Sequence, residues 1–160
     1  MELGLTGKIS IVTGGSKGIG RTTALALAQE GSDVAICARG VEELEAAAAE
    51  IRDQTGRKVL AIRADMSSLD DIKNMVSTTV AELGGVDILI NNAVNSVAAP
   101  FMELKDEDWL NHINVKVMGY VRCSREAIPH MINRGGGRII NIGGMAARSA
   151  NTLTNSNGVT

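Results

Sequence analysis

The sequence has 160 residues and a mass of 16.8 kDa, which is the size of one domain with a single core. Hydrophobic residues make up 44% of it, so a disordered or fibrous chain is excluded. The 16 basic and 18 acidic residues leave a net charge of −2, which provides no general attraction to nucleic acid or to an anionic membrane. We therefore expect a single domain over residues 1–160, without a nucleic-acid partner.

Cysteines and apolar segments limit the setting in which the protein works. Cys37 and Cys123 lie far apart, without a C-x-x-C pattern or a nearby histidine pair, so neither a disulfide framework nor a metal site is predicted. No segment approaches the roughly 18 consecutive apolar residues that a membrane span needs. Residues 1–8 lack the features of a signal peptide. These observations predict a cytoplasmic protein without a metal or a membrane partner.

The first predicted elements are a strand, a glycine turn and a helix. Residues 8–13 are mostly β-branched and stop at Gly14, which is typical of a buried strand. Residues 19–30 carry apolar side chains at helical spacing, and Gly31 follows where a C-terminal glycine is expected. The chain therefore begins with a strand, a tight turn and a helix.

The same alternation continues along the chain. Further strands are predicted over 33–38, 58–63, 86–90 and 138–142, and further helices over 41–54, from Ser68 to about 83, and over 103–134 with a break near Asn114. Residues 143–160 show no clear period and receive no assignment. Strands that alternate with helices predict an α/β fold, in which a doubly wound parallel sheet of about five strands has helices on both faces.

The strongest functional signal is the run T-G-G-S-K-G-I-G at residues 13–20, between the first strand and the first helix. Backbone N–H groups of such a turn approach a pyrophosphate, and the helix N-terminus adds partial positive charge. A glycine-rich run by itself also occurs in plain tight turns, but here the flanking strand and helix fit the context of a nucleotide site. The candidate binding residues in this run are Gly14, Ser16, Lys17, Gly18, Ile19 and Gly20.

These residues resemble the short-chain dehydrogenase/reductase family. Its T-G-x-x-x-G-x-G motif fits residues 13–20, and three further segments occur in the family's order: Asp65, the run N-N-A at 91–93, and Asn114. The resemblance covers essentially the whole chain and implies a Rossmann-type fold that lacks the family's last strands. It also implies an oxidoreductase that transfers hydride between a nicotinamide cofactor and a carbonyl or alcohol substrate.

The end of the second strand distinguishes NAD from NADP. An acidic residue there accepts hydrogen bonds from the ribose hydroxyls, whereas a basic residue pairs with a 2′-phosphate. Here the sequence has Ala38 followed by Arg39. The resemblance implies that Lys17 and Arg39 together hold the 2′-phosphate of NADP(H). The alternative is that Arg39 only begins a solvated loop.

The resemblance assigns four more residues to the cofactor. It places Asp65 and Met66 at the adenine, and Asn92 and Ala93 at the adenosine ribose. The family's N-N-A-G motif ends here in Val94 instead of glycine. A branched side chain then stands where the backbone approaches the cofactor, which is expected to weaken or reposition binding.

The catalytic half departs from the family. There a tyrosine gives a proton to the carbonyl oxygen, a lysine four residues later lowers the tyrosine pKa, a serine orients the substrate, and an asparagine continues the proton relay. The resemblance assigns Asn114 to the relay, but it places Gly144 at the serine position, Asn157 at the tyrosine position, and the lysine just after Thr160. Three hypotheses stay open: an NADP(H)-dependent oxidoreductase with an incomplete site, a non-catalytic NADP(H)-binding protein, and a fragment.

The remaining polar residues favour structural roles. His112 and His130 face different sides of one predicted helix, so they do not form a metal pair. His112 lies near Asn114, where it is either a substitute acid or a structural histidine. The cations within 116–148 predict a solvated helix face rather than a nucleic-acid surface. Isoleucines within 139–142 would lie on an exposed sheet edge, so we also expect a homo-oligomer.

Overall fold

The structure is a computed structural model that describes residues 3–144. Its strands are β1 (Ile9–Thr13), β2 (Asp33–Ala38), β3 (Val59–Arg63), β4 (Ile88–Asn91) and β5 (Arg138–Asn141). Its α-helices are α1 (Gly18–Gln29), α2 (Val41–Thr55), α3 (Leu69–Leu83), α4 (Asp106–Ile113) and α5 (Gly119–Asn133). A 3₁₀ turn at Phe101–Glu103 precedes α4, and a π-helical segment at Asn114–Met118 joins α4 to α5.

The five strands form one parallel sheet in the order β3-β2-β1-β4-β5. The chain builds outward from β1 to β3, and α3 then returns it to the other side of β1, where β4 pairs with β1. This reversal of direction opens a crevice at the carboxyl ends of β1 and β4. The prediction of a doubly wound parallel sheet is confirmed.

Each face of the sheet carries its own apolar core. Val12, Ile36 and Ile90 face α1 and α2, whereas Ile11 and Leu89 face α3 and α5. Helix residues that complete these cores include Ala24, Ala28, Leu44, Ile51, Ile72, Met75, Cys123 and Ala127. Because neighbouring residues of a strand point to opposite faces, both sides of the central strands are apolar and covered by helices.

Both cysteines are free and buried, as predicted for packing residues. Burial raises the pKa of the Cys37 thiol to about 12, and a contact with the Gly14 N–H offsets this only in part. Burial also raises the pKa of Cys123, whose sulfur lies 3.6 Å from Met66 Sδ. Neither thiol is therefore prepared to act as a nucleophile at neutral pH.

The predicted break in the long helical stretch is a π-helical segment that starts at Asn114. After it, Gly119 packs closely on another loop, since an added Cβ would lie 3.0 Å from the Met66 carbonyl oxygen. Arg122 Nη1 donates to Asn114 Oδ1 at 2.8 Å and to the Ser67 carbonyl at 3.1 Å. These contacts attach the π-helical segment to the loop after β3. The π-helical turn therefore accompanies the packing of this segment on that loop.

One residue of the predicted solvated face is an exception. Lys116 lies in the π-helical segment and is only 7% exposed. Burial lowers the pKa of its ammonium group. The prediction of a solvated face is wrong at this residue, because a π-helical turn shifts the phase of the helix and the 3.6-residue period no longer predicts which way the side chain faces.

Asp87 connects the amino ends of three strands. Its Oδ2 accepts a hydrogen bond from the Ile9 N–H at 2.9 Å and lies 3.0 Å from Arg134 Nη2. Its Oδ1 lies 3.8 Å from Lys8 Nζ, and its backbone carbonyl accepts from the Arg138 N–H at 2.9 Å. Burial alone would raise the pKa of Asp87, but these donors and cations hold the pKa below its ordinary value.

Candidate functional site

A cleft of about 420 Å³ lies at the carboxyl ends of β1, β2 and β4, within the size range of small-molecule sites. Nine of the candidate cofactor-binding residues line it: Gly14, Ser16, Lys17, Ile19, Arg39, Asp65, Met66, Asn92 and Ala93. Gly18 and Gly20 lie in the first turn of α1 and do not line the cleft. The turn, the end of β2, the loop after β3 and the end of β4 thus contribute to one site.

The glycine turn has a shape that side chains would prevent. Gly14 has a φ of +68°, in the left-handed region that favours glycine. A Cβ at Gly20 would overlap the Gly14 carbonyl oxygen and approach Asn92 Nδ2 to 2.6 Å. The start of α1 therefore lies directly against the turn and the end of β4.

The N-terminus of α1 is open to an anion. Lys17 precedes the helix in an extended conformation, and among the described residues no side chain caps this end. The first turn of α1 also contains no acidic residue. Its first N–H groups thus keep their hydrogen-bonding capacity and their partial positive charge at the cleft.

Thr13 and Asn92 hold the two strands of the site together. Thr13 Oγ1 accepts hydrogen bonds from the N–H groups of Asn92 and Ala93 at 2.9 and 3.0 Å. Asn92 Nδ2 donates in return to the carbonyls of Thr13 at 2.9 Å and Gly14 at 3.3 Å. The ends of β1 and β4 are therefore bound in a fixed relative position beside the glycine turn.

The rim of the cleft carries charges of both signs. Lys17 Nζ lies 3.8 Å from Glu43 Oε2, and both residues line the cleft together with Arg39. Partial burial tends to raise the pKa of Asp65, but hydrogen bonds from Ser67 and the charge of nearby Arg39 lower it below its ordinary value. The rim therefore carries two cations and two carboxylates, of which Lys17 and Glu43 form an ion pair.

No motif in the sequence points to Glu43. Its only local signal is an acidic residue in the first turn of a helix, a position that usually serves the helix dipole. Its distance from Lys17 depends on how α2 packs beside α1, and the spacing of residues in the sequence does not predict that packing.

Val94 lies on the rim and is 52% exposed. Within residues 3–144, no residue other than glycine has a positive φ, so valine causes no backbone strain at this position. The expected weakening of cofactor binding by Val94 stays a prediction.

Asn114 does not line the cleft, although the next residue, Val115, does. The Asn114 side chain accepts its hydrogen bond from Arg122, as described above. Gly144 lies at the end of the described residues, and Asn157 lies outside them. The relay role of Asn114 therefore stays a prediction.

His112, the candidate substitute acid, and Tyr120, the single tyrosine of the sequence, both make structural hydrogen bonds. His112 is fully buried, and its Nδ1 donates to the Asn95 carbonyl at 2.8 Å. Tyr120 donates to the Ile142 carbonyl at 3.2 Å. Burial, with a smaller contribution from Cys123, raises the pKa of Tyr120 to about 12. The two hydrogen bonds therefore hold α4 and α5 against the neighbouring backbone.

Within residues 3–144 no three His, Cys, Asp or Glu side chains are arranged to hold a metal ion. None of the helices there has the length and apolar character that crossing a membrane requires.

An open parallel α/β sheet with a glycine turn at its switch point defines the Rossmann class of folds. Residues 8–156 match the sequence profile described as short chain dehydrogenase. The chain belongs to this family.

Curated relatives agree with this assignment. A 3-oxoacyl-[acyl-carrier-protein] reductase FabG of Staphylococcus aureus is 34% identical over 144 residues, which are 90% of this chain and 58% of the relative. The short chain dehydrogenase/reductase astE of Aspergillus oryzae is 38% identical over 143 residues, or 88% of this chain and 55% of the relative. The chain thus spans just over half the length of these relatives.

Solved structures share the fold closely. The L-sorbose reductase of Gluconobacter frateurii, complexed with NADPH and L-sorbose, superimposes with a TM-score of 0.94 at 33% identity, covering 99% of this chain and 60% of that one. A NAD⁺-bound xylitol dehydrogenase superimposes with a TM-score of 0.90 at 30% identity, covering 97% of this chain and 60% of that one. The two neighbours contain different nicotinamide dinucleotides.

Proposed function

We propose that this chain binds NADP(H) as the cofactor of a short-chain oxidoreductase that acts on a carbonyl or alcohol substrate. The observation that carries the proposal is the position of Lys17 and Arg39 on the rim of the cleft that the glycine turn forms. Two cations on one rim favour a ligand with a phosphate in addition to its pyrophosphate. The sorbose reductase with its NADPH supports the same conclusion.

The residues of the cleft fit such a cofactor. Gly20 packs directly on the Gly14 carbonyl, so the uncapped N-terminus of α1 lies beside the turn, where its N–H groups would bind a pyrophosphate. We assign Ser16, Gly18 and Ile19, at the glycine turn and the start of α1, to the pyrophosphate. Asp65 and Met66 are assigned to the adenine, and Asn92 and Ala93 to the adenosine ribose. The bound nicotinamide would supply or accept hydride.

The test is an equilibrium titration of the purified chain with NADPH and NADH, repeated with Arg39→Ala. Loss of a charge-assisted contact to the 2′-phosphate is expected to weaken NADPH binding about 10- to 100-fold. NADH lacks that phosphate, so its affinity should change less than about twofold.

Arg138→Ala is the matched control. Arg138 is an exposed arginine at the amino end of β5, the opposite edge of the sheet from the cleft, and it does not line the cleft. Its removal should leave the preference for NADPH unchanged. Equal weakening by both variants, or no saturable binding by the parent chain, would refute the proposed use of Arg39.

A second candidate function is binding of NADP(H) without turnover. Gly144 favours it, because glycine has no hydroxyl with which to orient a substrate at the position where the resemblance implies serine. A chain of this kind should bind NADPH but leave its absorbance unchanged when a panel of aldehydes, ketones and sugars is added. Consumption of NADPH with any of these carbonyl compounds would refute this candidate and support the oxidoreductase.

The predicted homo-oligomer stays a prediction. It is supported by exposed apolar side chains on α5, where Val121 is 48%, Ile128 42% and Ile132 68% exposed. Apolar residues that repeat along one helix are typical of contact surfaces.

A further inference from the structure

Glu43 occupies a position that the proposed cofactor site does not explain. It lies in the first turn of α2, lines the cleft, and places Oε2 3.8 Å from Lys17 Nζ. The side chains of Lys17 and Glu43 are 80% and 65% exposed. An exposed pair of this kind adds little to folding stability, so the interaction is available for a role in binding.

The two carboxylates on the rim differ in how firmly they are held. Asp65 Oδ1 accepts hydrogen bonds from the N–H and the hydroxyl of Ser67, at 2.8 and 2.7 Å. Among the described residues, Glu43 has no side-chain partner besides Lys17. Asp65 is thus fixed, whereas Glu43 keeps its rotational freedom.

We infer that Glu43 is a specificity-determining residue, which reduces the preference of this cleft for 2′-phosphorylated dinucleotides. This inference rests on the proposed function. Without ligand, the Glu43 carboxylate neutralises the Lys17 ammonium group. A 2′-phosphate that binds Lys17 must displace this carboxylate and then remains near its negative charge. A dinucleotide without the 2′-phosphate meets neither obstacle, so Glu43 acts on the ratio of the two affinities.

The experiment compares the parent chain with Glu43→Gln, which removes the charge and keeps the shape. Both are titrated with NADPH and with NADH, at about 0.01 M and about 0.5 M salt. At low salt, Glu43→Gln is expected to bind NADPH about three- to tenfold more tightly, with NADH affinity unchanged within about twofold. The gain should shrink at high salt, because the interacting charges are exposed to solvent.

Glu42→Gln is the matched control. Glu42 belongs to the same helical turn and is exposed, but it does not line the cleft. The control should change neither affinity, and equal thermal unfolding midpoints would show that both variants keep the fold.

The possible failures are distinguishable. If the parent chain binds both dinucleotides and Glu43→Gln leaves their affinity ratio unchanged, the role of Glu43 is refuted while the proposed site stands. An equal gain from Glu42→Gln would also refute it, since the effect would then be one of net charge. If the parent chain binds neither dinucleotide, both the proposed function and this inference fall.

Discussion

Gly20→Ala is expected to abolish measurable dinucleotide binding and to lower the free energy of unfolding by about 2–3 kcal/mol. The added methyl group would overlap the Gly14 carbonyl and press on Asn92 Nδ2. Neither is the free end of a flexible side chain, since Asn92 is held by the carbonyls of Thr13 and Gly14. Relief of the overlap must therefore move the turn away from the start of α1.

Gly40→Ala provides the comparison for this prediction. Gly40 also lines the cleft, but its φ is −82° and an added Cβ there meets nothing within 4 Å. Denaturant unfolding and NADPH titration of both variants measure the two effects. If Gly20→Ala and Gly40→Ala behave alike, the close packing of α1 on the turn is not what forms the site.

The second large effect is expected at Asp87. Asp87→Asn removes the charge that pairs with Arg134 and Lys8 and alters the acceptor of the Ile9 N–H. Asp87 is only 4% exposed, so we expect the free energy of unfolding to fall by about 2–4 kcal/mol at pH 7. Asp53→Asn, at an exposed position in α2, should change it by less than about 0.5 kcal/mol.

The effect of Asp87 depends on pH in a defined direction. The pKa of Asp87 is lower in the folded chain than its ordinary value of 3.8. A depressed carboxyl pKa stabilises the fold above the unfolded-state pKa, and this stabilisation is lost as the pH falls through the folded value. The difference between the parent chain and Asp87→Asn should thus be full at pH 5–7 and shrink below about pH 4.

Urea unfolding of both chains at pH 7, 5 and 3 measures this dependence. A difference that stays constant across this range would mean that Asp87 acts through its shape and not through its charge.

The local pattern of the sequence was sufficient to predict the strands of the sheet and the glycine turn. Strands 33–38 and 138–142 were predicted to within one residue of β2 and β5, because short apolar runs between turn glycines have few alternatives. The predicted start of α4 was less accurate. It begins at Asp106, not at 103, because the Lys105 N–H donates to the Asp108 carboxylate and defines a later cap.

Other features could not be predicted from the spacing of residues in the sequence. Asp87 was included in a predicted strand from residue 86, yet β4 begins at Ile88 and the Asp87 carboxylate bonds to β1. Lys116 was expected on a solvated face and is buried, since the π-helical segment alters the direction of its side chain. At Asp87 a partner distant in sequence outweighs the local preference, whereas at Lys116 the helix itself departs from the 3.6-residue period.

The sequence by itself determined the α/β alternation, the glycine turn and the family, because each is written in contiguous residues whose backbone preferences are local. It also placed the candidates Lys17 and Arg39. Only the tertiary structure decided that nine of the candidate residues share one cleft while Asn114 does not line it. It also decided that Glu43 faces Lys17. The physical reason is that charges and hydrogen bonds act through space over a few ångströms, and the packing of helices on the sheet sets those distances.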